Sequence, residues 1–294
     1  MSPATSTAPP TRRSVPIHGP GPRAFAVAIG NEVAKGLRHA WSERIQILIE
    51  LPLFVSMSLL FSLLLGQGEQ VAATGRLAAR LDPHQTGWMF LGFASFTFAY
   101  LQVVKVFWRL LGEFQSGTLE QTYLSPLPAW THIALGRVTA TMVETGFIVA
   151  VMYGVTRAFV DLAFAWQPEV LISVAFLIVG SVGFSLITAG LTLVFKRMQL
   201  INDLVLGLMM LVSGAILPLA AMPHWVTGLA WPMFLAQAVA GLRTTMLYGQ
   251  PLTTWGLGGL VWGAAVSVVW LAVGAAVFVV AERIARRHGS LARY

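Results

Sequence analysis

The stretch Gly112-Glu113-Phe114-Gln115-Ser116-Gly117-Thr118-Leu119-Glu120-Gln121-Thr122-Tyr123-Leu124-Ser125-Pro126-Leu127-Pro128 is a polar interruption between two long apolar runs. A chain reversal needs only a handful of turn residues, and this segment is much longer. Its pattern predicts a short helix carrying Glu113 and Glu120, closed by Ser125-Pro126, because proline cannot continue a helix. Seven positions apart, the two carboxylates are expected on nearly one helical face, flanked by Thr118 and Gln121. Gly117 leaves room for another backbone to approach. The bland alternative is a solvated loop helix whose charges touch nothing.

The runs on either side set the fold class. The chain has 294 residues, 56% hydrophobic and 11% charged, with a mean hydropathy of +0.72. A soluble domain carries about a quarter charged residues. Repeated apolar runs long enough to cross a bilayer therefore predict an all-α polytopic membrane protein. The sequence has no cysteine, which removes disulfides, thiol catalysis and Cys-ligated metals.

Six spans are expected, at about 45–66, 86–108, 132–155, 169–195, 201–221 and 255–281, within a transmembrane domain of 45–281. Residues 1–22, with Pro3, Pro9, Pro10, Pro16, Pro20 and Pro22 and no apolar h-region, read as a disordered cytoplasmic tail rather than a signal peptide. Residues 23–44 read as an amphipathic interfacial helix, with Phe25, Ile29, Val33, Leu37 and Trp41 at four-residue spacing. The stretch 222–254 is too apolar for a solvated loop yet is broken by Pro223, Pro232 and Pro251. Two short helices dipping part-way into the membrane fit it, with an extracellular cap as the alternative. Residues 282–294 complete the chain as a second cytoplasmic tail.

Orientation follows from Lys and Arg alone. With both termini inside, fifteen of the nineteen fall on the inner side and four, Arg76, Arg80, Arg157 and Arg243, on the outer. Both ends and the 112–128 segment are thus expected in the cytoplasm of a cell, presumed bacterial from its arginine-rich, lysine-poor usage. The net charge of +7 follows this topology, so nucleic acid is not an expected partner.

Active-site chemistry has little to stand on. No Gly-x-x-x-x-Gly-Lys-Ser/Thr run is present, so the chain itself has no P-loop for ATP. His18, His39, His84, His132, His224 and His288 show no metal-ligand spacing, and no Gly-x-Ser-x-Gly elbow occurs. No catalytic residue, bound cofactor or metal is expected. Glu144 is the notable ionisable group, placed midway along the third span, where a charge costs about 2.5–3.5 kcal/mol. It is expected to point into the bundle, either as a hydrogen-bonded strut near Thr141 and Thr145 or as a cargo or proton contact. Gly180, Gly183 and Gly190, and Gly259, Gly263 and Ser267, read as small-residue tracks for close helix packing.

The form Glu-x-x-x-Gly-Thr-Leu-Glu-x-x-x-Leu-Ser-Pro-Leu resembles the cytoplasmic coupling segment of ABC type-2 export permeases, and the order of the surrounding elements agrees along nearly the whole chain. The resemblance implies an ATPase-coupling role for Glu113, Gly117, Thr118, Glu120, Gln121, Ser125 and Pro126. It also implies a transporter of two permease subunits, identical or related, and two ATPase subunits that bind ATP and Mg. In that family the second and fifth spans line the path, which makes Phe93, Phe96, Tyr100, Leu211, Leu217 and Leu219 candidate lining residues. An aromatic seam of this kind is equally consistent with plain helix packing. The cargo expected is a hydrophobic or amphipathic drug, antibiotic or lipid, with a lipid-linked glycan as an alternative. A proton-coupled secondary transporter using Glu144 is the competing class, although no inverted repeat is evident.

Overall fold

The computed structural model describes residues 22–42, 44–66, 83–118, 136–160, 162, 164–195 and 198–287. The described residues are helical almost throughout, as expected for a chain that must satisfy its backbone internally within lipid. The helices are α1 (Pro22–Ser42), α2 (Arg44–Gly66), α3 (Pro83–Gln115), α4 (Val138–Phe159), α5 (Val170–Val194), α6 (Gln199–Val212), α7 (His224–Ala230), α8 (Phe234–Leu242) and α9 (Gly256–Arg287). Short 3-10 turns occur at Leu219–Ala221 and Leu252–Trp255, and a π-turn at Arg243–Leu247.

Among the described residues, four helical stretches are long and apolar enough to cross a membrane: α3, α4, α5 and Leu252–Arg287. The pair His224–Ala230 and Phe234–Leu247 adds a fifth if counted as one broken span, its halves bent by 91°. The expected fifth span, 201–221, is not one helix. Helix α6 has 14 residues, about 21 Å, short of the ~30 Å hydrocarbon core. It stops because Gly214 takes φ +72° and Pro218, with no amide hydrogen, follows. Two other boundaries also move. Helix α3 runs on to Gln115 and takes in Gly112 and Glu113, and α9 continues to Arg287, so the expected tail at 282 begins inside a helix.

Helix α5 is the centre of the bundle, packed against α9, α8 and α3. Its glycines explain how closely. A Cβ on Gly183 would lie 2.4 Å from the Trp270 carbonyl carbon, and one on Gly274 would lie 2.0 Å from the Gly183 oxygen. Gly190 meets the Phe278 backbone at 2.9 Å in the same sense. Small residues let the two backbones touch, the means by which helices associate when lipid is as apolar as their side chains. On the other side of the bundle α3 packs on α4 and α2, and α1 lies along α4 with Gly36 against Ala140.

Candidate functional site

The chemistry of this chain gathers where α2, α3 and α4 converge. Lys105 and Arg109 are one turn apart on α3, so their side chains leave the same face. Across from them, in the second turn of the described α4, stands Glu144. Lys105 donates from Nζ to Glu144 Oε1 at 2.8 Å, and Arg109 donates from Nη2 to Oε2 at 2.5 Å. Lys105 also meets Glu50 of α2 at 3.1 Å. Arg109 donates from Nη1 to Thr141 Oγ1 at 2.9 Å, and that hydroxyl donates in turn to the Arg137 carbonyl at 2.9 Å. Glu113 pairs with Arg137 at the ends of α3 and α4.

The side chains of Lys105, Arg109, Glu144 and Arg137 are all at least nine-tenths buried. Three cations, Lys105, Arg109 and Arg137, face three carboxylates, Glu50, Glu144 and Glu113, so the cluster is neutral. Neutrality is what makes it tolerable in low dielectric, because a buried charge without a counterion costs several kcal/mol. Gln102, one turn from Lys105 and two from Arg109, adds a hydrogen bond of 3.0 Å to the Val138 carbonyl. These contacts clamp the end of α3 to the start of α4, the two helices that flank the 112–128 segment.

Glu144 therefore sits in the first third of its helix rather than midway, because α4 runs from Val138, after a π-type turn at 136–137, to Phe159. Glu113 lies in the last turn of α3 rather than in a separate short helix. Helix α3 ends at Gln115, and Ser116–Thr118 form a turn with Gly117 at φ +69°. A left-handed glycine just past the last turn is a helix stop. The Ser116 amide closes on the Gly112 carbonyl at 2.9 Å, and the Ser116 and Thr118 hydroxyls meet at 2.9 Å. Glu120, Gln121, Ser125 and Pro126 lie outside the described residues.

Of the candidate lining residues, Phe93 and Phe96 are buried. Phe93 packs on Phe54 and Phe61 of α2, at centroid distances of 6.4 and 5.7 Å. Tyr100 is half-buried, with its ring 5.7 Å from Phe96 and 6.3 Å from Phe54. Leu211 and Leu217 are exposed, whereas Leu219 folds back against Gly214. The seam is thus packed at one end and open at Tyr100.

A second charged feature lies at the opposite end of the bundle. Arg243, in the π-turn, is buried with its guanidinium carbon 3.4 Å from the centroid of the Trp88 ring. It donates to the carbonyls of Gly214 at 2.8 Å, Ala215 at 3.0 Å and Trp88 at 3.2 Å. Gly92 makes the space, since a Cβ there would lie 2.5 Å from Arg243 Nη2. This fork holds the break after α6 against α3. Sequence reading counted Arg243 only as an outer-side charge and did not single out Lys105 or Arg109 as partners for Glu144. The one-turn spacing of Lys105 and Arg109 inside an apolar run was the available signal.

A multi-pass helical membrane protein with a neutral, buried ion cluster beside a polar turn is the class these features define. The family model for the ABC-2 type transporter matches residues 32–247, most of the chain, and the protein belongs to that family. It is a permease subunit of an ABC transporter, a transport component of a kind that works with an ATPase partner. Among curated proteins none matches the chain.

Proposed function

We propose that this subunit forms the membrane path of an ATP-driven exporter, moving a hydrophobic or amphipathic cargo out of the cytoplasm or the inner leaflet. A separate ATPase would bind ATP and Mg, two copies serving a pair of permease subunits. Segment 112–128 is the docking element in this reading. The single observation that supports it most is the Glu113–Arg137 pair, backed by Lys105 and Arg109 on Glu144. A push on the segment would be delivered to α3 and α4 together, because those helices are tied to one another and to α2. Glu113 contributes by this tie, its carboxylate being engaged with Arg137.

The competing proton-coupled reading needs Glu144 to exchange protons with water. Both of its oxygens are instead engaged by cations and its side chain is 2% exposed, which favours a strut. The test is reconstitution of the purified permease in vesicles with and without its ATPase. Cargo movement only with ATPase and hydrolysable nucleotide is the expected result. Movement driven by a proton gradient with the permease alone would overturn the reading.

A further inference from the structure

Helix α6 carries one acidic residue, Asp203. Helix α6 turns Asn202, Leu206 and Met209 inward. Its outward face carries Leu200, Leu204, Leu208 and Leu211, all exposed, and Asp203 is exposed among them. Its depth is set by its neighbour. The Asn202 side-chain oxygen accepts from Thr188 Oγ1 at 3.3 Å, and Thr188 lies six residues inside the end of α5, a spanning helix of 25 residues. Six residues are about 9 Å of helix, and the whole of α5 is about 37 Å long, so its ends overhang a ~30 Å hydrocarbon core by only about 4 Å. Asp203 is therefore at the level of the apolar core rather than the headgroups.

A carboxylate at that depth is not expected to face lipid. Such groups face a wet cavity or a partner, and mark the paths of ions and substrates. Among the described residues no cation pairs with Asp203, and Leu206 and Met209 on the inner side of α6 share a core cluster with Phe96, against which the half-buried Tyr100 is packed. Room is present as well. One turn along from Asp203, a Cβ on Gly207 would meet nothing within 4 Å. The face thus combines one anionic group, open space at Gly207, the half-buried ring of Tyr100 beside Phe96 and a run of leucines.

We infer that this face of α6 receives a cationic amphipathic cargo, with Asp203 holding the positive charge, Tyr100 offering its ring and the leucine row covering the apolar body. The inference rests on the proposed export function and narrows its substrate class. The charge is complementary, aromatic faces attract cations, and a lone carboxylate repels anionic cargo. Neutral lipids would desolvate Asp203 without supplying a counterion.

The test uses the full-length permease in lipid nanodiscs without nucleotide, with radiolabelled tetraphenylphosphonium as the probe and tetraphenylborate, nearly the same shape with opposite charge, as the control. Saturable phosphonium binding is expected, weakened about tenfold or more in Asp203→Asn by loss of a charge-assisted contact, and kept within a few-fold in Asp203→Glu. Melting temperature shows that both variants are folded. No saturable binding, equal binding by Asp203→Asn, or equally tight binding of tetraphenylborate would each overturn the inference. So would dissociation of a permease pair on Asp203→Asn, since that would assign the carboxylate to a second copy of the chain. Nucleotide-driven export by the wild-type complex is measured separately, so the export reading and the cation reading can fail independently.

Discussion

Lys105 and Glu144, thirty-nine positions apart in sequence, meet at 2.8 Å in the interior of the bundle. Arg109 holds the second carboxylate oxygen, so one carboxylate serves both cations, and Lys105 also reaches Glu50. The consequence is an asymmetry. Removing either cation still leaves Glu144 the other, whereas removing the Glu144 charge takes a counterion from two buried cations at once.

Glu144→Leu is therefore expected to destabilise the fold by about 3–5 kcal/mol, the cost of breaking a buried pair from one side. Glu144→Gln keeps hydrogen-bonding atoms but not the charge, and should fall between Leu and wild type. Adding Lys105→Met to Glu144→Gln should recover part of the loss, because one of the two cations deprived of that counterion is gone. Thermal melting in detergent of the two single variants and the double variant decides the matter. A double variant no more stable than Glu144→Gln alone would mean that the two residues are not coupled.

The α5–α9 contact gives a sharper contrast. Gly274→Ala places a methyl carbon 2.0 Å from the Gly183 oxygen, so the helices must separate. A loss of about 1–3 kcal/mol is expected from this overpacking. Gly154→Ala, on α4 with nothing within 4 Å of the new carbon, should be neutral or gain about 0.5–1 kcal/mol from helix propensity. Equal melting temperatures for the two variants would contradict the close backbone approach.

Arg243 supplies a third test. Lysine has the charge of arginine but not its planar fork, and it cannot serve the carbonyls of Trp88, Gly214 and Ala215 together. Arg243→Lys should cost about 2 kcal/mol or more, since carbonyls are left unmet, and should loosen the break after α6. Passive dye leak through reconstituted permease is expected to rise alongside the fall in melting temperature. A lysine variant as stable and as tight as wild type would show that the fork is dispensable.

The sequence revealed the all-helical membrane architecture because hydropathy summed over twenty residues is insensitive to local detail. That same insensitivity hid the stop in α6. Gly214 and Pro218 lie inside the expected span 201–221, where surrounding leucines outweigh them in any average. Glu144 stood out because a carboxylate in an apolar run is rare. Its partners did not, because pairing with Lys105 and Arg109 depends on how α3 approaches α4, which no local pattern encodes. Gly117 was legible as a special position but was read as room for a neighbour rather than as the end of α3. Asp203 fell inside the expected span 201–221 without being singled out, and its depth follows from the contact between Thr188 and Asn202.

The last prediction concerns the tie between Glu113 and Arg137. If the segment between them delivers motion from an ATPase, the tie makes α3 and α4 respond as one body. Glu113→Arg alone then leaves two like charges at a buried contact, and Arg137→Glu alone does the same with carboxylates. Both single variants should hydrolyse ATP in the assembled complex yet export poorly, because the push reaches helices no longer bound to each other. The swap Glu113→Arg/Arg137→Glu restores opposite charges and should recover much of the export per ATP consumed. A surface-docking role for Glu113 predicts the opposite pattern, since the swap still presents the wrong charge to the ATPase. Export and hydrolysis measured side by side for the three variants separate the two roles: rescue by the swap supports the tie, and a swap as defective as Glu113→Arg returns Glu113 to the docking surface.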